Sequence, residues 1–119
     1  MEDRKDLLRN KSFDFALRVI KLFKYLTTEH KEFILSKQIL RSGTAIGALI
    51  KEAQYAQSKA DFLHKLTIAL KEANETEYWL ELLYKSDYIT QKMYNSIHPQ
   101  IDELLKLLIS STKKLKEAR

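Results

Sequence analysis

The apolar positions of this chain recur at spacings of three and four, in four separated blocks. That spacing marks one face of an α-helix, because residues i, i+3, i+4 and i+7 share a side. The first block runs from Ser12 to Glu29. Phe13, Ala16, Ile20, Phe23 and Thr27 form its stripe, widened by Val19 and Leu26. Arg18, Lys21 and Lys24 fall mainly off it. Ser12 is the expected N-cap, since a serine hydroxyl accepts from the free amides of a first helical turn. Residues 1–11 are nearly all polar and read as a frayed start or a short extension. His30-Lys31-Glu32 interrupts the pattern and reads as a loop.

The second predicted helix covers about 36–56, capped by Ser36 with Leu35 placed for a hydrophobic staple. Its stripe is Ile39, Leu40, Gly43, Ile46, Ile50 and Ala53. The third covers 59–85, with Phe62, Leu66, Ala69, Ala73, Thr76, Leu80 and Leu83 in line. Leu63, Leu70 and Trp79 broaden that stripe. Ser58 and Asp61 form a variant capping box, and the acid complements the helix dipole. Lys71 and Glu75 are an i,i+4 pair on the polar face. Thr90 caps a fourth helix over 90–112, with Met93, Ile97, Ile101, Leu104, Leu105 and Leu108 on its stripe. Pro99 lies inside it and predicts a kink or a split in two. The basic tail 113–119 is expected to fray. Short connections make sequential helices antiparallel. The prediction is one all-α domain over 1–119, an up-down-up-down antiparallel four-helix bundle.

Composition narrows the picture. Two glycines and one proline in 119 residues cannot furnish the turns of a β-sandwich or barrel. Gly43 and Gly47 share one face of the second helix, where each costs about 1 kcal/mol relative to alanine. Close approach of a neighbouring helix is the expected return, with a flexible or ligand-contacting spot as the alternative. There is no cysteine, hence no disulfide, thiolate metal site or cysteine nucleophile. No apolar run approaches the roughly 18 residues of a membrane span. The alternating charges of residues 1–6 do not form a signal peptide, so the cytoplasm is the expected location and no membrane partner is expected.

Catalytic patterns are absent. Di-iron bundles need Glu-x-x-His pairs, and none occurs; the nearest run is Asp61-Phe62-Leu63-His64. His30, His64 and His98 lie in different segments. There is no nucleophile elbow and no glycine-rich phosphate loop. His64 beside a carboxylate is a weak acid-base candidate, better read as a solvated side chain. The reading is a non-enzyme with no catalytic residue, cofactor or metal.

A formal net charge of +5 leans toward polyanions. Arg18, Lys21 and Lys24 on the first helix, with Lys37, Arg41 and Lys51 on the second, are the candidates for phosphate contact with RNA or DNA. The competing reading is a solvated face of mixed charge. Aromatics gather around the third helix and its ends: Tyr55, Tyr78, Trp79, Tyr84, Tyr88 and Tyr94. Those left on the surface favour subunit contact. Glu52, Glu72 and Glu75 can pair with Arg41, Lys65 or Lys71 across helices. With Gly43, Gly47, Tyr78 and Trp79 they make up a candidate structural or oligomer seam, with direct ligand contact as the alternative.

The run from Phe33 to Ala53, FILSKQILRSGTAIGALIKEA, resembles the bacterial 23S rRNA intervening-sequence proteins, or S23-type four-helix bundles. Ser58–Ala73, Glu75–Leu80 and Phe13–Ala16 are similar to the same family. Ser36, Gln38, Arg41, Ser42, Gly43, Ile46, Gly47, Glu52, Ser58, Asp61, Phe62, Ala69, Glu72, Glu75 and Leu80 sit where its motif has them. Leu49 and Ala45 depart from it, where Asn and Ser are usual. The resemblance implies a ring-like homopentamer without catalytic residues. It also implies kinship with the accessory variability determinant of diversity-generating retroelements, a basic bundle that binds nucleic acid and a reverse transcriptase. The expected function is a non-catalytic homo-oligomer that binds nucleic acid. The alternative is a protein-interaction scaffold, for example an accessory factor to a reverse transcriptase.

Overall fold

In a computed structural model, which describes residues 3–118, the helical blocks become α1 (Arg4–Glu29), α2 (Leu35–Gln54), α3 (Lys59–Lys85) and α4 (Gln91–Glu117). Their start signals are side-chain oxygens that accept from free first-turn amides. Asp3 takes the amide of Asp6, Ser58 that of Asp61 and Thr90 that of Met93, each at 3.0–3.1 Å. Asp61 also accepts from the Gln57 amide at 3.3 Å, so the variant capping box closes one residue upstream of its usual partner. The start of the chain is an extension of the first helix, since α1 begins at Arg4, and the expected frayed tail is corrected, since α4 continues to Glu117; Met1, Glu2 and Arg119 lie outside the described residues.

Two expected caps are corrected. Ser12 does not begin a helix. It lies buried two turns inside α1, its hydroxyl donating to the Arg9 carbonyl. Asp3 supplies the cap, nine residues before the one the apolar stripe suggested. Ser36 is likewise inside α2. The cap there is Glu32, whose carboxylate accepts from the amides of Ile34, Leu35 and Ser36 at 3.3, 3.1 and 2.8 Å. Burial pushes the Glu32 carboxyl up, but these hydrogen bonds outweigh it and hold its pKa below the ordinary carboxylate value.

The loops after α1 and α3 end their helices through left-handed residues other than glycine. Asp87 (φ 68°) follows α3, with Asp87 N–H bonded to the Tyr84 carbonyl and Tyr88 N–H to that of Leu83. This is a Schellman ending with aspartate where glycine is usual. Lys31 (φ 52°) plays the same part after α1, where the Glu32 amide turns back onto the Leu26 carbonyl.

Cross-helix contacts fix the topology. Ser12 lies near Gly47 and Val19 near Gly43, so α2 runs against α1. Tyr84 stacks on Tyr94 and Glu77 meets His98, so α4 runs against α3. Arg4 bonds Ser110, Lys11 pairs with Glu103 and Arg18 grips Gln100, so α1 and α4 are antiparallel too. Each helix packs on two neighbours, and the α1–α4 seam is the thinnest of the four. The result is an antiparallel four-helix bundle 47 Å long and about 22 Å across.

The stripes of the second, third and fourth helices face the core nearly as expected, except that Leu63 is more buried than Phe62 and that Leu40 and Met93 are only half-buried. The α1 stripe is corrected. Its buried residues are Leu8, Ser12, Phe15, Val19, Leu22 and Leu26. Phe13, Leu17 and Ile20 instead point outward, 63%, 48% and 37% exposed. The longer helix carries an unbroken 3-4 spacing from Leu8 to Leu26, and that row outcompetes the aromatic one. Pro99 does not split α4, which stays a single helix.

Gly43 shows why α1 settles with this face inward. A β-carbon there would stand 2.8 and 2.9 Å from the two methyl carbons of Val19. One at Gly47 would meet Ser12 Oγ at 3.4 Å, at the edge of ordinary contact. Gly43→Ala should therefore destabilise the fold by about 1–3 kcal/mol through overpacking. Gly47→Ala should cost far less, because a gain in helix propensity of up to about 1 kcal/mol offsets the tighter contact. Urea unfolding of both variants checks the contrast. Equal effects would refute the assignment of Gly43 to the tighter seam.

Candidate functional site

The six candidate cations fall into two groups. Arg18 and Arg41 are engaged within the bundle. The Arg18 guanidinium donates to the Ser96 carbonyl (2.8 Å), the Ser96 hydroxyl (2.8 Å) and Gln100 Oε1 (2.6 Å). It bridges α1 to α4 over the turn that contains Pro99. Proline lacks the amide that would bond the carbonyl four residues back, so this turn is short of one internal hydrogen bond. Arg41 reaches from α2 to α3. It donates to Glu72 Oε2 at 2.7 Å and to Glu75 Oε1 at 2.6 Å.

Lys21, Lys24, Lys37 and Lys51 form the second group. All four are exposed, and none forms an ion pair among the described residues. Lys21 flanks a groove of about 360 Å³ between α1 and α4, beside Arg18, Tyr25 and Lys92. Lys51 lies with Arg9 along a wider groove of about 700 Å³ between α1 and α2, walled by Phe13, Ala16, Thr44 and Ala48. Lys92 belongs with these cations and was not among the sequence candidates. Its place at the start of a helix hid the fact that α4 packs beside α1.

The seam candidates separate in the same way. Gly43 and Gly47 face α1 inside one chain. Glu72 and Glu75 bind Arg41, so Glu75 turns toward α2 and away from the expected partner Lys71. Trp79 extends the group, its indole N–H donating to Glu75 Oε1 at 3.1 Å. Tyr78 packs edge-on against Trp79 and stays largely exposed. Glu52 is exposed and makes no ion pair among the described residues. Beneath this group, the buried hydroxyls of Ser42 and Thr76 meet at 2.8 Å, and Thr76 Oγ1 also bonds the Glu72 carbonyl at 2.7 Å. The sequence reading had missed this polar pair, whose signal was small hydroxyl residues at positions flanked by core residues.

The remaining aromatics order the other edge. Tyr94 is stacked between Tyr84 and His98, and His98 Nε2 lies 3.1 Å from Glu77. Burial, with the nearby carboxylates of Glu81 and Glu77, pushes the Tyr94 hydroxyl pKa up. His30 bridges Tyr25 and Tyr88 at one end of the bundle. Tyr55 is exposed. Among the described residues, no cluster of three or more histidines and carboxylates is arranged for a metal ion. No described helix is long and apolar enough to cross a membrane.

The hydrogen bonds from Trp79 and Arg41 hold the Glu75 carboxyl below the ordinary carboxylate value of 4.5. The charged group is thus intact above that value and is lost only as pH falls through the lowered one. Trp79 is the sole tryptophan, so its emission reports the event directly. The emission change on acidification should fall below pH 4.5 in the native protein. In Arg41→Ala it should move upward, toward that value. An unchanged midpoint would show that Arg41 does not hold the carboxylate.

Comparison with known proteins agrees with this architecture. The family model of the 23S rRNA-intervening sequence protein matches residues 5–110. A crystal structure of a protein of unknown function from the S23 ribosomal protein family of Bacteroides thetaiotaomicron VPI-5482 is 58% identical to the chain. It superposes with a TM-score of 0.91, over 93% of this chain and 99% of that one. No curated protein matches. With the family model spanning most of the sequence, the chain belongs to the 23S rRNA-intervening sequence protein family.

Proposed function

We propose that the chain is a non-catalytic homo-oligomeric bundle that binds nucleic acid through its unpaired cations. The observation that carries this reading is the division among the six candidates. Arg18 and Arg41 are bound to the bundle's own acceptors. Lys21, Lys24, Lys37 and Lys51 lack carboxylate partners among the described residues. An ammonium without a carboxylate partner gains most from a phosphate, and each neutralised phosphate releases counterions. The groups are spread along α1 and α2, which suits backbone contact in place of base readout. Self-association is supported by the outward row Phe13, Leu17 and Ile20, an apolar strip unusual on a lone soluble bundle. A stoichiometry of five rests on the family resemblance alone.

The second reading is a protein-interaction scaffold. It is favoured by the same α1 strip, which suits a protein surface better than a phosphate backbone. A mobility-shift titration with structured RNA separates the two. Binding should be clear at about 50 mM salt, weaken steeply by about 200 mM, and fall at least tenfold in a Lys21→Glu/Lys24→Glu/Lys37→Glu variant. Light scattering on the same samples should show a species larger than the 14.0 kDa chain, reduced by Leu17→Asp. Absence of binding at the lower salt would leave the scaffold reading standing.

A further inference from the structure

Three contacts fix the register in which α1 and α4 pass one another. Arg4 meets Ser110, Lys11 meets Glu103 and Arg18 meets Ser96. Each seven-residue step forward along α1 is answered by a seven-residue step back along α4. At these three levels a cation meets a carboxylate or a neutral acceptor. One turn further the pattern breaks. Lys21 follows Arg18 by one turn of α1, and Lys92 precedes Ser96 by one turn of α4. Because the helices are antiparallel, these two steps run in the same direction. Two lysines therefore share one level of the seam, and both border the groove of about 360 Å³ there.

Nothing at this level cancels their charge. No aspartate or glutamate lines the groove. The residues three and four positions from Lys21 are Leu17, Arg18, Lys24 and Tyr25, and those from Lys92 are Tyr88, Ile89, Asn95 and Ser96. Neither lysine forms an ion pair among the described residues. Arg18, the third cation of the groove, is held by neutral acceptors, so its charge is fixed in place but not neutralised. Lys92 also lies in the first turn of α4, which carries no acid and where the helix dipole disfavours a cation. The floor is apolar, made of the buried Leu22, Ile89 and Ile97. Charges of one sign beside a low-dielectric wall repel one another and focus their field on an incoming anion.

We propose that Lys21, Lys92 and Arg18 form a seat for one phosphate group of a nucleic-acid backbone. The two lysines close on the phosphate from opposite sides of the seam. Arg18 stays bonded to α4 and contributes its charge from a fixed position. The seat deepens the nucleic-acid reading and rests on it for its ligand. It adds α4 to the surface that the strand crosses.

NMR of the full isotope-labelled chain, titrated with inorganic pyrophosphate at about 50 mM salt, tests the seat directly. Amides of residues 18–25 and 89–96 should shift and saturate at one pyrophosphate per chain. Lys92→Gln should weaken pyrophosphate at least about fivefold, as loss of a charge-assisted hydrogen bond does. Lys113→Gln removes the same charge from an exposed position outside the groove and should change nothing. With structured RNA, Lys92→Gln should lower the slope of log affinity against log salt by about one, and Lys113→Gln should not. Lys92→Glu should lose pyrophosphate altogether yet melt about 1–5 °C higher, because it pairs with Lys21 and suits the start of a helix. Opposite signs in stability and binding separate the seat from a structural role. Pyrophosphate shifts elsewhere, indifference of pyrophosphate to Lys92, or a lower melting temperature in Lys92→Glu would each overturn the seat. An unchanged RNA salt slope in Lys92→Gln would overturn the seat and leave the nucleic-acid reading intact. Pyrophosphate bound here with no RNA binding would overturn the backbone assignment together with that reading.

Discussion

The contact between Gly43 and Val19 sets the rotation of α1, and much else follows from that rotation. Val19 occupies the space a side chain at position 43 would need. With Val19 seated there, helical geometry sends Phe15, Leu22 and Leu26 into the core. The same geometry turns Phe13, Leu17 and Ile20 to the outside. The apolar strip on the bundle's surface is therefore a by-product of a missing β-carbon on the neighbouring helix. Lys21 and Lys24 are likewise left exposed on α1 by this choice of inward face.

Across α2 the constraint is polar. The Ser42–Thr76 hydroxyl pair is buried, and a Ser42 hydroxyl left alone there would be costly. Sliding α3 by a turn would separate them and take from Ser42 its Thr76 partner, while Thr76 would keep its bond to the Glu72 carbonyl. Arg41 with Glu72, Glu75 and Trp79 covers this pair at the surface. These outer groups are partly exposed, so they add register more than stability. Apolar packing thus orients one face of α2, and hydrogen bonding aligns the other.

Helix number, order and three of the four inward stripes were legible in the sequence because they rest on local periodicity. The Thr90 and Ser58 caps were legible for the same reason. The failures have a common cause. Ser12 and Ser36 resembled caps, but both are core residues that lie against another helix or bond a preceding carbonyl. Which of two apolar rows on α1 faces inward depends on what α2 offers it, and periodicity along α1 carries no such information. Pro99 raised the expectation of a split that the continuous helix does not show. The pairing of Arg18 with α4 and of Arg41 with α3 required the tertiary arrangement, so the candidate cations could be named but not sorted.

The α1–α4 seam differs from the other three in what holds it. Three seams join helices that follow one another in the chain. The fourth unites residues as far as 106 positions apart, through Arg4 and Ser110, Lys11 and Glu103, and Arg18 with Ser96 and Gln100. Loop closure over that distance carries an entropic cost that grows only logarithmically, about 0.6 kcal/mol per doubling of length. Here much of that cost is met by directional bonds between long side chains at the surface. The barrel of helices is thus latched on its fourth side by a hasp of charged and amide groups, of which the Lys11–Glu103 pair is the part that salt screens.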